Sequence, residues 1–145
     1  MYFLLITIII FVTDHLLKIL VDHTMHVNQS IVVFKDILSI TYVQNRGAAF
    51  GLFWGSTTIL VIVGIFAIFA IICFREHFSR DAHIQVPLAF LLGGSLGNIV
   101  DRIFRGYVVD YIDFHVWPVF NYADIMINLG VLLIFIYILC HKEED

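Results

Sequence analysis

Charge is what this 145-residue chain has least of: Asp, Glu, Lys and Arg together make up 14%, against 61% hydrophobic residues and a mean hydropathy of +0.96. That balance excludes an ordinary soluble domain, in which about a quarter of residues are charged. Basic blocks are missing as well. With a net charge of -4 and no cluster of cations, no nucleic-acid partner is expected. Cysteine is scarce: Cys73 and Cys140, both at the ends of apolar runs, offer neither a disulfide framework nor the spacing of a metal site, and read as inert packing residues. The amino-terminal run has no basic stretch before it and no A-x-A-like site after it, so it reads as a retained helix rather than a cleaved leader. No internal repeat or low-complexity tract is present.

What remains is apolar sequence in runs of helical length. Residues 1–21, 57–74, 84–104 and 124–140 can each cross about 30 Å of hydrocarbon at ~1.5 Å per residue. The expectation is a single membrane domain over 1–145 with four spans and both termini on one side. The segments 22–56 and 101–124 then share the other side. Counting cations does not orient the bundle: Arg75, Arg80 and Lys142 on the terminal side are outnumbered by Lys35, Arg46, Arg102 and Arg105 opposite, against the positive-inside rule. Within the first long loop, "SIVVFKDILSITYVQ" is rich in β-branched and aromatic residues with Asp36 at a turn, which predicts two short strands. "AAFGLFW" beyond it is read as a short interfacial helix, with Trp54 at headgroup level.

Polar residues inside such spans are informative, because a charge at the centre of a membrane helix costs about 2.5 to 3.5 kcal/mol. Asp14 and Lys18 stand four apart on one helical face and read as a self-neutralising pair that supports packing. In "LLGGSLGNIVDRIFRG", Gly93 and Gly97, with Gly94 and Ser95, let another helix approach closely. Asn98, Asp101 and Arg102 follow at spacings of three and four as one polar stripe. Asp110 and Asp113 come next, and Asn121 and Asp124 open the last span as a helix cap and a first-turn carboxylate. If the third and fourth spans are neighbours, Asp110 and Asp124 converge at one end of the bundle. Two close carboxylates share a proton, and one can activate water while the other hydrogen-bonds the carbonyl under attack. Three other readings stay open on these residues alone: a small proton- or cation-coupled transporter or channel subunit, a Mg²⁺-dependent membrane hydrolase or transferase, and a scaffold without activity.

Four blocks, "DHLLK" at 14–18, "QNRGAAFG" at 44–51, "GGSLGNIVDRIFRGYVVDYIDF" at 93–114 and "FNYAD" at 120–124, stand in the order and with the span layout that resembles the prolipoprotein signal peptidases, the type II signal peptidases of bacteria. The resemblance implies an all-α protein of the bacterial cytoplasmic (inner) membrane. It would have four transmembrane helices, a small extracytoplasmic β-sheet platform, a short interfacial helix and cytoplasmic termini. It implies an aspartic endopeptidase that cuts on the amino side of a diacylglyceryl-modified cysteine, with membrane lipids and diacylglyceryl-modified prolipoproteins as partners. The enzyme would be a monomer needing no cofactor or metal. The catalytic pair falls on Asp110 and Asp124. Asn45, Gly47, Asn98, Arg102 and Asn121 match positions that hold the substrate or the pair, whereas Asp14, Lys18, Gly93, Gly97 and Asp101 match supporting ones; Asp113 is outside the catalytic pattern. His15, where the family has Gln, and Ile125, where a small or hydroxyl residue is common, depart from it.

Overall fold

The computed structural model describes residues 2–47, 56–77 and 81–141. Four helices carry the chain: α1 (Tyr2–Thr24), α2 (Thr57–His77), α3 (Ala82–Arg105) and α4 (Tyr122–His141). All are long and apolar enough to cross a bilayer. α1 and α2 continue past the expected ends at 21 and 74, and α3 and α4 begin earlier than expected.

Polarity is distributed as a hydrocarbon solvent demands. α2, the most hydropathic helix, has no buried residue. α3 is the least hydropathic of the four and the most buried, with 61% of its apolar window inside the protein. Lipid takes the apolar surfaces, and the bundle interior takes the residues that need a polar partner. α3 packs against all three other helices, and its glycines make that possible. A Cβ at Gly93 would lie 2.8 Å from the Ile10 side chain and 3.0 Å from the Thr7 carbonyl oxygen, both on α1. One at Gly94 would lie 2.5 Å from the Ala123 carbonyl oxygen on α4, and Gly97 faces both Asp14 and Ala123. The small-residue face therefore receives two helices, where the spacing alone indicated one.

α3 ends on Gly106, whose φ of 77° is the left-handed conformation of a helix cap and whose N–H donates to the Arg102 carbonyl at 3.2 Å. This turn delivers the chain into a three-stranded antiparallel sheet of order β1 (Ser30–Phe34), β2 (Leu38–Asn45), β3 (Val108–Asp113). The first two strands are the predicted pair, with Asp36 at φ 61° in their turn. The third was not expected: it occupies the stretch read as a loop between spans. Its first four residues are all buried, so the in-out alternation that marks a half-exposed strand is missing from "VVDY". Tyr42, Val109 and Tyr111 pack on Val21 and Met25 at the end of α1. Asp22 adds a polar tie, accepting from the Tyr42 hydroxyl and from Arg105.

The segment read as an interfacial helix, with Trp54, lies outside the described residues. Cys73 and Cys140 are exposed rather than packed, each near the end of an apolar helix.

Candidate active site

β3 and α4 bring Asp110 and Asp124 to one groove. Asp110 stands opposite Val43 in the β2–β3 register, and Asp124 lies in the first turn of α4. The groove has a volume of about 890 Å³, and Asn45, Asn98 and Arg102 also line it. Asn121 is fully buried behind the two carboxylates.

Each of the four carboxylate oxygens receives a fixed donor. Asn121 Nδ2 donates to Asp110 Oδ1 at 2.6 Å and Asn45 Nδ2 to Asp110 Oδ2 at 2.8 Å. Asn98 Nδ2 donates to Asp124 Oδ1 at 2.8 Å, and the Asn121 backbone N–H donates to Asp124 Oδ2 at 3.1 Å. The amides are themselves oriented by groups that can only donate. The Gly47 N–H donates to Asn45 Oδ1 at 2.9 Å, the Asp124 N–H to Asn121 Oδ1 at 3.0 Å, and Lys18 Nζ to Asn98 Oδ1 at 2.9 Å. Asn121 is thus the N-cap of α4, in reciprocal contact with Asp124, and the same side chain holds Asp110. Burial, and after it the charge of Asp124, outweighs the donors on Asp110 and pushes its carboxyl up to about 7.

Behind this layer the supporting residues form a charged core. Lys18, fully buried, lies 2.7 Å from Asp14 Oδ2 and 3.2 Å from Asp101 Oδ2. The pair expected from α1 alone is a cluster that joins α1 to α3. Asp14 Oδ1 also accepts the Ala123 N–H of α4 at 2.9 Å, and Asp101 accepts the Val109 N–H of β3 at 3.3 Å. The cluster therefore ties together the elements that carry Asp110 and Asp124. Arg102 reaches across the mouth of the groove, with Nη2 donating to the Gly47 carbonyl at 3.3 Å.

Asp113 belongs elsewhere. It accepts from Thr41 Oγ1 and from the His115 N–H, both at 2.8 Å, and although burial opposes it these bonds hold its carboxyl below the usual range. His115 Nε2 shares a hydrogen bond of 3.2 Å with Ser39 Oγ, and its Nδ1 is 3.4 Å from Asp113 Oδ1. The order Ser–His–Asp suggests a nucleophile, but Ser39 is 1% exposed, and no substrate carbonyl can reach it. The series fastens the start of the loop whose residues Trp117, Pro118, Val119 and Phe120 wall the groove. That wall, and the apolar floor of Ile125, Leu129 and Leu132 along α4, escaped sequence reasoning. Asn128, a polar residue one turn beyond Asp124 in an apolar span, was the available signal. Among the described residues, no three His, Cys, Asp or Glu side chains are grouped to hold a metal ion.

Fold and site together define a multi-pass membrane protein with a carboxylate pair in a groove at one end of its bundle. Residues 6–140 match the sequence profile of the family described as signal peptidase (SPase) II. The lipoprotein signal peptidase of Halothermothrix orenii is 37% identical over 134 residues, 92% of each chain. That of Desulfitobacterium hafniense strain Y51 is 41% identical over 139 residues, 94% of this chain and 92% of the relative. A bacterial membrane enzyme solved by the in meso method at 2.3 Å superposes with a TM-score of 0.91 at 33% identity, covering 99% of this chain and 92% of that one. A second, solved at 1.9 Å, gives 0.84 at 35% identity, covering 95% and 92%. The chain belongs to the signal peptidase II family. It is a multi-pass peptidase of the bacterial inner membrane that removes the signal peptide from prolipoproteins, and nothing in the likeness favours a transporter.

Proposed function

We propose that Asp110 and Asp124 are the catalytic pair of an aspartic peptidase. The observation that carries this is their convergence in one groove with a fixed donor on every carboxylate oxygen. The pair shares one proton, held at Asp110, where burial favours the neutral form. Asp124 takes a proton from water as the water oxygen attacks the scissile carbonyl, and Asp110 gives its proton to the carbonyl oxygen. In the collapse, the proton on Asp124 passes to the departing nitrogen, Asp110 recovers one from the hydroxyl, and the C–N bond breaks. The products are the carboxylate of the signal peptide and a new amino terminus, and the pair returns to its starting state.

The scissile bond we assign lies on the amino side of a cysteine carrying diacylglycerol. The groove supports this assignment by its form: polar at Asn45, Asn98 and Arg102, then apolar along Ile125, Leu129 and Leu132, so acyl chains can lie against α4 while the peptide bond meets the carboxylates. We further read the chain as one domain acting as a monomer, with cytoplasmic termini and the sheet and groove at the outer face. The test is cleavage of a diacylated precursor peptide, with the new amino terminus located. Asp110→Asn and Asp124→Asn should each abolish cleavage in folded protein, while Asp113→Asn should keep most of it. Wild-type turnover in either of the first two would remove the pair from the chemistry, and equal collapse of all three would indicate a general role for the charge of the β3 segment.

A further inference from the structure

Lys18 has no access to substrate. It is fully buried and does not line the groove, yet one of its contacts leads straight to the reacting groups. Three polar atoms surround its ammonium: Asp14 Oδ2 at 2.7 Å, Asn98 Oδ1 at 2.9 Å and Asp101 Oδ2 at 3.2 Å. An ammonium has three N–H groups and no lone pair, so each neighbour must be an acceptor. For Asn98 this settles which end of the carboxamide faces Lys18. The oxygen turns to Lys18 and to Asn121 Nδ2, 3.1 Å away, and the nitrogen turns to Asp124 Oδ1 at 2.8 Å. The reversed amide would set its NH₂ against an ammonium and another NH₂, and its oxygen against a carboxylate. Each of those contacts is repulsive.

Resting on the assignment of Asp110 and Asp124 as the catalytic pair, we propose that Lys18 is a positioning residue for the reaction: it locks the Asn98 carboxamide in the orientation that donates to Asp124. Asn45 and Asn121 are oriented by backbone N–H groups close to them in sequence, which the fold supplies without further cost. Asn98 lies in mid-helix on α3, where the backbone N–H groups are engaged in the helix, so its orienting donor comes from another element. α1 provides it as a charge, and a charge also polarises the amide: electron density drawn to the carbonyl oxygen leaves the N–H a stronger donor to Asp124. Asp14 and Asp101 then serve Lys18, holding its ammonium neutralised and aimed. Ion pairing explains two of the three contacts, and the third is what joins the cluster to catalysis.

The test is a double-mutant cycle on Lys18→Met and Asn98→Ala, reading kcat and KM on the diacylated precursor peptide and thermal unfolding in detergent. Lys18→Met should lower kcat about tenfold, the scale of a lost charge-assisted hydrogen bond, with KM changed less than about twofold because no substrate contact is removed. In the Asn98→Ala background, where there is no amide to orient, Lys18→Met should cost less than about twofold. An equal kcat loss in both backgrounds, or a loss confined to KM, would overturn the proposal, since a purely structural lysine would act without regard to Asn98. Should Lys18→Met fail to fold, the same cycle in an Asp14→Asn background keeps it decidable: Asp101 still has Arg105 Nε at 3.2 Å, so no carboxylate is stranded. Asp124→Asn separates the two readings. Turnover surviving in Asp124→Asn overturns the pair, whereas an inactive Asp124→Asn with an uncoupled Lys18 overturns only the positioning role.

Discussion

Asn121 donates its side-chain amide to Asp110 at 2.6 Å, and the same carboxamide caps the helix on which Asp124 stands. One residue thus fixes the start of α4 and the position of Asp110 together. The two roles separate by substitution. Ser can accept the Asp124 N–H but cannot reach Asp110, and Ala does neither. Asn121→Ser and Asn121→Ala should be impaired in cleavage to a similar degree, while differing in unfolding free energy by about 1 kcal/mol, the usual worth of an N-cap. Equal stability would show that the cap contributes nothing here.

Activity should depend on pH through Asp110. Its carboxyl is raised to about 7, so the pair holds its proton below that value and loses it above; kcat/KM should fall as pH rises through about 7. Asn45 donates to the ionised form of Asp110 and therefore favours loss of the proton. Asn45→Ala removes that bias, so along with slower turnover the alkaline limb should move to higher pH. A limb that stayed in place or moved lower would contradict the role of Asn45.

The contact of α3 with α4 at Gly94 leaves no room for a methyl group, since the nearest atom to a Cβ is a backbone oxygen, that of Ala123. Gly94→Ala must push α4 away and should cost about 1 to 3 kcal/mol of stability, as overpacking does. Because α4 carries Asp124, cleavage should fall too. Gly106→Ala offers a contrast: nothing lies within 4 Å of its Cβ. The penalty there should be about 1 kcal/mol from the left-handed backbone, with the groove undisturbed. Melting curves and turnover of the two variants in detergent check both halves.

Lipid on the substrate should be required. Each acyl CH₂ withdrawn from water contributes about 0.8 kcal/mol, ample to hold the adjoining peptide bond at the level of the carboxylates. The same precursor with an unmodified cysteine should be cut poorly or not at all at concentrations where the lipidated form is processed, and EDTA should alter neither result. Comparable turnover of both peptides would separate recognition from the lipid.

The spans, the carboxylates and the small-residue contact were legible in the sequence because each is an exception to its surroundings: apolar runs against a polar norm, Asp14 or Asp124 against an apolar one, Gly93 and Gly97 where larger residues would fill space. β3 was hidden because Val108, Val109 and Asp110 are buried together, and a strand covered on both faces shows no period. The link from Lys18 to Asn98 spans 80 residues and joins two helices whose mutual rotation no local pattern specifies. Asp14 and Lys18 looked like a closed pair because spacing within one helix says nothing of a third partner such as Asp101. The wall at Trp117 to Phe120 is aromatic and apolar, as is much of this chain, and only its place against Asp110 makes it part of a site.

α2 has no buried residue, and this sets how the helix can change over generations. The bilayer judges nearly all of it, and a bilayer reads only length and apolarity, so Ile, Leu, Val and Phe can trade places along most of its surface at little loss. Gly64 is an exception, because a Cβ there would meet the Ile99 side chain of α3 at 2.5 Å, and so is Arg75, which stacks on the Phe3 ring at 4.4 Å and donates to Gln85. Drift in this helix should therefore be wide and almost neutral outside those two positions. A library randomised among apolar residues from Ile59 to Cys73 would be expected to return many working sequences with few substitutions at Gly64.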